Sequence, residues 1–200
     1  MPSPAAHAYM RGAKRARTLR DATIDVRLRP IPREDTQTFA HAYLTSLVAV
    51  WDAYLKGLAR NFYQETANPL RVEYHAIHEV ARIAGERAIE RFNTPNWDNA
   101  RNFLIATTGY DPISDWTWPR RGMGVQDVKE RLNQILRVRH SFAHGFAIPS
   151  YSWTTNKSGR VRLTVEVLRD TEAFFNNLVR KTDSGLQRHI KTTYGRAAAW

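Results

Sequence analysis

The segment Arg137-Val138-Arg139-His140-Ser141-Phe142-Ala143-His144-Gly145 sets arginines and imidazoles side by side. Imidazole titrates near neutral pH and can give or take a proton. Arginine keeps its charge and can grip two phosphate oxygens at once. Together they suit one reaction well, the cleavage of RNA by its own 2′-hydroxyl. That reaction needs a base near the 2′-oxygen, an acid for the leaving 5′-oxygen and positive charge for the crowded phosphorane. Arg139 and His144 are therefore the candidate catalytic residues, with His140 beside them, and Arg137, Arg120, Arg121 and Lys129 are candidate RNA-binding residues. One His cannot conveniently be base and acid in the same step. A two-fold dimer that brings two copies of the segment together would supply both, so a homodimer is expected.

Spacing limits how these side chains can meet. Five residues of helix put Arg139 and His144 roughly 140° apart at ~100° per residue, so a shared site must straddle the helix edge or lie between two helices. His140 and His144 are four apart and share a face. Plainer roles stand beside the catalytic one: a His near a helix C-terminus stabilises the helix dipole, and Arg139 would also serve as a surface charge.

Metal chemistry is the strongest competitor. His75 with His78 and His140 with His144 are helical ligand pairs, and four imidazoles on facing helices would suit zinc. There is no His-Glu-x-x-His, however, and no Glu stands three residues before any of the seven histidines. No metal and no cofactor is expected on this reading, and His75 and His78 are read as partly buried polar residues. Neither a Gly-rich phosphate loop nor Gly-x-Ser-x-Gly occurs, which argues against kinase, NTPase and hydrolase classes of those types.

The elements that must position the segment read as helical. From Thr36, the residues Phe39, Tyr43, Leu47, Val50, Trp51, Tyr54, Leu55 and Leu58 recur at spacings of three and four, predicting a helix over 36–63 capped by Asp35 or Thr36. Asn68-Pro69 marks a break. A second helix is predicted over 72–92, with Val72, Ile77, Val80, Ile83 and Ile89 inward, Arg82, Glu86, Arg87, Glu90 and Arg91 outward, and Arg82 with Glu86 as an opposite-charge pair. Asn96 caps a shorter helix to about Thr107. Residues 108–124 form a loop in which Trp116 and Trp118 are either a hydrophobic flap or a base-stacking platform. A third long helix begins after Gly124, with Val125, Val128, Leu132, Ile135, Leu136, Val138 and Phe142 apolar and Gly145 as its C-cap. After a loop over 146–159, Thr164 caps a last helix through Leu168, Phe175 and Leu178 to about Ile190, with a brief strand at 160–165 as the competing reading. The fold class is all-α: an up-and-down bundle of four to five helices.

Charge points toward a polyanion. Thirty Lys and Arg against nineteen Asp and Glu give +11, and the sequence pI is near 10.3. Residues 1–33 hold eight basic side chains (Arg11, Lys14, Arg15, Arg17, Arg20, Arg27, Arg29 and Arg33) against Asp21 and Asp25. They read as a flexible basic N-terminal arm, either holding RNA or solvated, with room for a short helix or strand at 19–28. Residues 34–193 form the helical domain and 194–200 a C-terminal tail. Cysteine is absent, which excludes disulfides and fits a reducing compartment. No apolar run reaches the roughly 18–20 residues that cross a bilayer. Residues 1–20 lack the apolar core of a secretory signal, although their Arg-rich, acid-free character leaves a transit peptide open. A cytoplasmic location without membrane attachment is expected.

The Arg139-His140-x-x-x-His144-Gly145 stretch resembles the Arg-polar-x-x-x-His motif of the HEPN superfamily. So does its context, at the end of the third long helix, after a Trp-containing loop and before a closing amphipathic helix. The resemblance spans residues 35–190 and points to the RiboL-PSP-HEPN branch or a related HEPN-like nuclease. It implies an α-helical bundle that dimerises with two motifs facing each other in a cleft, and a metal-independent endoribonuclease in toxin or antiviral-defence settings, with an antitoxin or defence-complex partner. Residue by residue, Arg139 matches the family Arg, His140 its polar neighbour and His144 the essential His. HEPN toxins controlled by nucleotidylation carry a Tyr where this chain has Phe146, which puts that control in doubt. A HEPN-like module that binds RNA or protein without cutting is the alternative function.

Overall fold

The apolar stripe that starts at Phe39 belongs to a helix of 34 residues, Arg33–Thr66, around which the other helices gather. The computed structural model describes residues 1–25, 32–67, 73–145, 147–156, 158–195 and 197–200. Arg27, Arg29, the Asn68-Pro69 break, Val72 and Phe146, together with the Arg33 side chain, lie outside the described residues. Six α-helices are described: α1 Pro4–Ala22, α2 Arg33–Thr66, α3 Glu73–Arg91, α4 Trp97–Thr108, α5 Val125–Ala143 and α6 Val165–Tyr194. The all-α expectation holds, with one helix more than the four to five expected. Residues 160–165, weighed as a strand, contribute only an isolated bridge between Val161 and Thr155 before Thr164 caps α6.

The additional helix is α1, which corrects the reading of a flexible basic arm. Arg11, Arg15 and Arg17 are exposed, but Ala5, Ala6, Tyr9, Ala13 and Ala16 form a narrow buried stripe at spacings of three and four. Small side chains let α1 lie close against α2, running antiparallel to it: Ala5 donates its backbone N–H to Asn61, and Arg20 sits over the Tyr43 ring near the other end. Ser3 caps α1 and Pro4 opens it, as proline at a first helical position should. The Ser3 backbone N–H and hydroxyl both donate to buried Asp183 of α6. Toward the C-terminal end of α1, buried Glu172 accepts from Arg17, Arg20 and the Tyr43 hydroxyl. Charged groups thus fasten α1 at both ends.

α2 starts earlier than Asp35 or Thr36, the caps expected from sequence. Pro32 is the capping residue and no side chain closes that end, while Glu34 and Asp35 in the first turn oppose the helix dipole. Inside, Trp51 is fully buried against Tyr54, Trp116 and Phe175. Trp116 is also fully buried, its indole N–H donating to Thr182, which makes it a core residue rather than a stacking platform. Trp118 is half-buried against Phe174.

α3 departs from its expected orientation. Ile89 is buried, but Ile77 is 66% and Val80 68% exposed, with Tyr74 and Ile83 exposed beside them. The helix instead meets α2 through Gly85, where any Cβ would collide with the Tyr63 ring. Arg82 pairs with Glu79, not Glu86, and Glu86 reaches across to Arg60 of α2. The residues expected inward do share one face of α3, but among the described residues that face, apart from Ile89, is exposed. At the other end of the molecule, residues 197–200 fold back on α2 and α6 through Ala199 to Glu65 and Gln187 to Trp200.

Candidate functional site

α5 carries the candidate residues because its buried side fixes its rotation. Val128, Leu132, Ile135, Leu136 and Val138 are buried, leaving Asn133, Arg137 and His140 along an outward strip. The N-terminal end is closed by Asp127, which accepts the Gly124 backbone N–H. At the other end the helix stops at Ala143. His144 is the capping residue, its backbone N–H still donating to the His140 carbonyl, and Gly145 turns away at φ +67°. Glycine takes this left-handed conformation without the steric cost a Cβ imposes. The sequence placed the cap at Gly145, one residue beyond the structural one.

This ending shapes the site. His140 and His144 are exposed and their rings meet at 4.1 Å between centroids, tilted by 45°. Arg139 is half-buried on the adjoining flank. A cavity of about 580 Å³ opens beside it, between α5 and the start of α4, bringing Arg137, Arg139 and His140 together with Asn133, Asn96 and Asp98. Arg139 and His140 share the cavity wall, and His144 lies beyond it against the His140 ring.

The remaining basic candidates divide. Arg137 lines the cavity, and Lys129 reaches its rim by pairing with Asp98 at 3.1 Å. Arg120 and Arg121 sit on the short 3₁₀ turn Pro119–Arg121 and are not part of the cavity wall. Arg121 pairs with Asp170 and lies over the Trp118 ring. Asp170 also approaches Arg131, whose guanidinium stacks 3.9 Å from the Trp153 ring centroid and is pushed by burial down to about 10. Through Trp153, Arg131 and Gln134 hold the loop after α5 against that helix.

Sequence reasoning missed His41. It lies on α2, buried, with its ring stacked on Phe142 at 4.6 Å and 6° between planes. Phe142 stands between the two exposed imidazoles in sequence, so His41 supports the turn that presents them. Among the described residues its Nδ1 has no hydrogen-bond partner, and burial lowers its pKa from the ordinary 6.5. A His on the buried face of a helix gives no sequence signal that separates it from a core residue. Asn96 was legible only as a helix cap, and Asn133 not at all.

The four-imidazole metal arrangement does not assemble. His78 bonds to Thr66 between α3 and α2, and no group of three metal-ligating side chains forms among the described residues. No helix among them is long and apolar enough to cross a membrane.

A protein-family model described as RiboL-PSP-HEPN matches residues 11–187, most of the chain. No curated protein and no solved structure matches it.

Proposed function

Because this chain belongs to the RiboL-PSP-HEPN family, and because its α5 ends in a paired His140–His144 beside Arg139, we propose that it is a metal-independent endoribonuclease acting as a homodimer. Family membership alone points to nuclease or RNA-binding work. The observation that favours cleavage is the exposed imidazole pair next to a guanidinium-lined cavity.

In the proposed reaction the 2′-oxygen attacks the adjacent phosphorus and the bond to the 5′-oxygen breaks. The 2′-hydroxyl proton passes to one imidazole, and a protonated imidazole gives its proton to the departing 5′-oxygen. Products are a 2′,3′-cyclic phosphate and a free 5′-hydroxyl. Arg139 neutralises the charge that grows on the non-bridging oxygens, and Arg137 holds a neighbouring phosphate. Copies of His144 from two protomers divide the base and acid roles, with His140 setting the direction of its neighbour. The uncovered apolar stripe of α3, Ile77 and Val80 above all, is the kind of surface that assembly buries, and supports a second copy as its cover. Such an enzyme suits a toxin or antiviral-defence effector restrained by an antitoxin or defence-complex partner.

The test is cleavage of a labelled single-stranded RNA and its DNA counterpart in excess EDTA, by wild-type protein and by His144→Ala. RNA alone should be cut, and the variant should be inert. Unchanged cutting by His144→Ala, or loss of activity on chelation, contradicts the reading. RNA binding without any cutting would make this a binding module.

A further inference from the structure

The cavity beside Arg139 has a second wall that the cleavage chemistry does not use. It is formed by two carboxamides from different helices, Asn96 at the start of α4 and Asn133 on α5. Each amide is held in one orientation by the backbone. Asn96 Oδ1 accepts the Asn99 backbone N–H at 2.9 Å, and Asn133 Oδ1 accepts the Trp97 backbone N–H at 3.2 Å. With each oxygen turned to a backbone N–H, Nδ2 is the end of each amide directed away from that contact, a hydrogen-bond donor for a ligand. The guanidinium of Arg137 adds further donors on the same side, and Leu136 gives the cavity an apolar surface. The Asp98 carboxylate on the same wall is paired with Lys129, so the amides set the edge that a planar, amphipathic, acceptor-edged occupant would meet. At about 580 Å³ it is within the usual range of small-molecule sites.

We propose that this cavity is a base-reading subsite that takes a keto base, uracil or guanine, next to the scissile phosphate and disfavours adenine. The proposal rests on the nuclease reading for its substrate class. Uracil can turn its two carbonyl oxygens, and guanine its O6 and N7, toward two amide donors, whereas adenine turns an exocyclic amino group toward one of them and leaves a donor unpaired. An unpaired buried polar group is what gives such sites their discrimination. The ribose-phosphate that follows the base leads past Arg139 to His140, so reading and cutting occupy successive parts of one path.

The experiment measures binding on the full-length His144→Ala protein, so that bound RNA stays intact and cleavage is not needed for a result. Fluorescein-labelled hexauridylate and hexaadenylate are titrated by anisotropy against this protein and against versions also carrying Asn133→Asp or Asn96→Asp. Asp keeps the oxygen that accepts the backbone N–H and replaces the Nδ2 donor by an acceptor; Asp also remains a good helix N-cap. Hexauridylate should bind about tenfold tighter than hexaadenylate. Each Asn→Asp change should erase most of that ratio with Tm preserved, whatever the added charge does to both affinities alike. Equal binding of the two RNAs, or a ratio that survives both substitutions, overturns the subsite. If wild-type protein cuts no RNA while the ratio behaves as stated, the nuclease reading fails and the subsite stands. If it cuts RNA with no ratio, the reverse holds.

Discussion

Arg139, His140 and His144 do separate work on this account, and their substitutions should separate too. His144 is exposed at the end of α5, so His144→Ala should leave Tm near wild type while lowering cleavage by ~10²–10⁴-fold, the usual yield of general acid–base catalysis. Arg139→Lys should also be slow despite keeping charge, since lysine cannot grip two phosphate oxygens; wild-type rates in this variant would remove Arg139 from the phosphorane. His41 makes a different prediction. Its pKa is lowered in the folded chain, so the unfolded chain binds the proton more readily. The stability it contributes is complete above pH 6.5 and is lost as pH falls from there through its folded pKa. Urea unfolding followed across this range should show that slope, and His41→Phe, which keeps a ring on Phe142, should reduce it. The Arg–His motif was legible as a candidate because arginine and imidazole are residue types suited to phosphate chemistry. His41 was hidden because its role depends on a ring stack between residues a hundred positions apart in sequence.

Helices place these residues, and α1 shows where sequence patterning loses sight of one. Large apolar residues announce α2 and α6, but α1 buries mainly alanines, whose weak hydrophobic signal is outvoted by Arg11, Lys14, Arg15 and Arg17 on the exposed face. Its attachment relies on Glu172, which joins Arg17, Arg20 and Tyr43. Glu172→Ala leaves buried polar groups unpaired and should cost about 3–5 kcal/mol in chemical denaturation; a loss under 1 kcal/mol would return α1 to the status of a loosely held arm. The α4 cap at Asn96 and the α6 cap at Thr164 were readable directly, because a capping side chain and its target N–H lie within one turn. The rotation of α3 was not. Periodicity defines an apolar face but not whether that face meets its own chain or another, and here Gly85 decides which side approaches α2.

As a whole the molecule carries a net charge of +11 and a proposed site that one protomer only half supplies. RNA binding should weaken steeply with salt, as phosphate neutralisation requires. Sedimentation should give a dimer, and Val80→Arg, placed on the uncovered α3 stripe, should shift it toward monomer and lower cleavage with it; a fully active monomer would dissolve the composite-site argument. The all-helical class came through in the sequence because it rests on local spacing, as does the candidate motif at the end of α5. The cavity between α4 and α5 did not, since it forms from Asn96 and Arg137, on helices whose packing no local pattern encodes. The most direct test of the central claim is the product chemistry at one bond. RNA is cut in EDTA by wild-type protein, and the same RNA is then offered with a single 2′-deoxy nucleotide on the 5′ side of the mapped cut. A 2′,3′-cyclic phosphate end is expected on the first substrate, and no cutting at that bond in the second. Cutting that continues past the missing 2′-hydroxyl would contradict that claim.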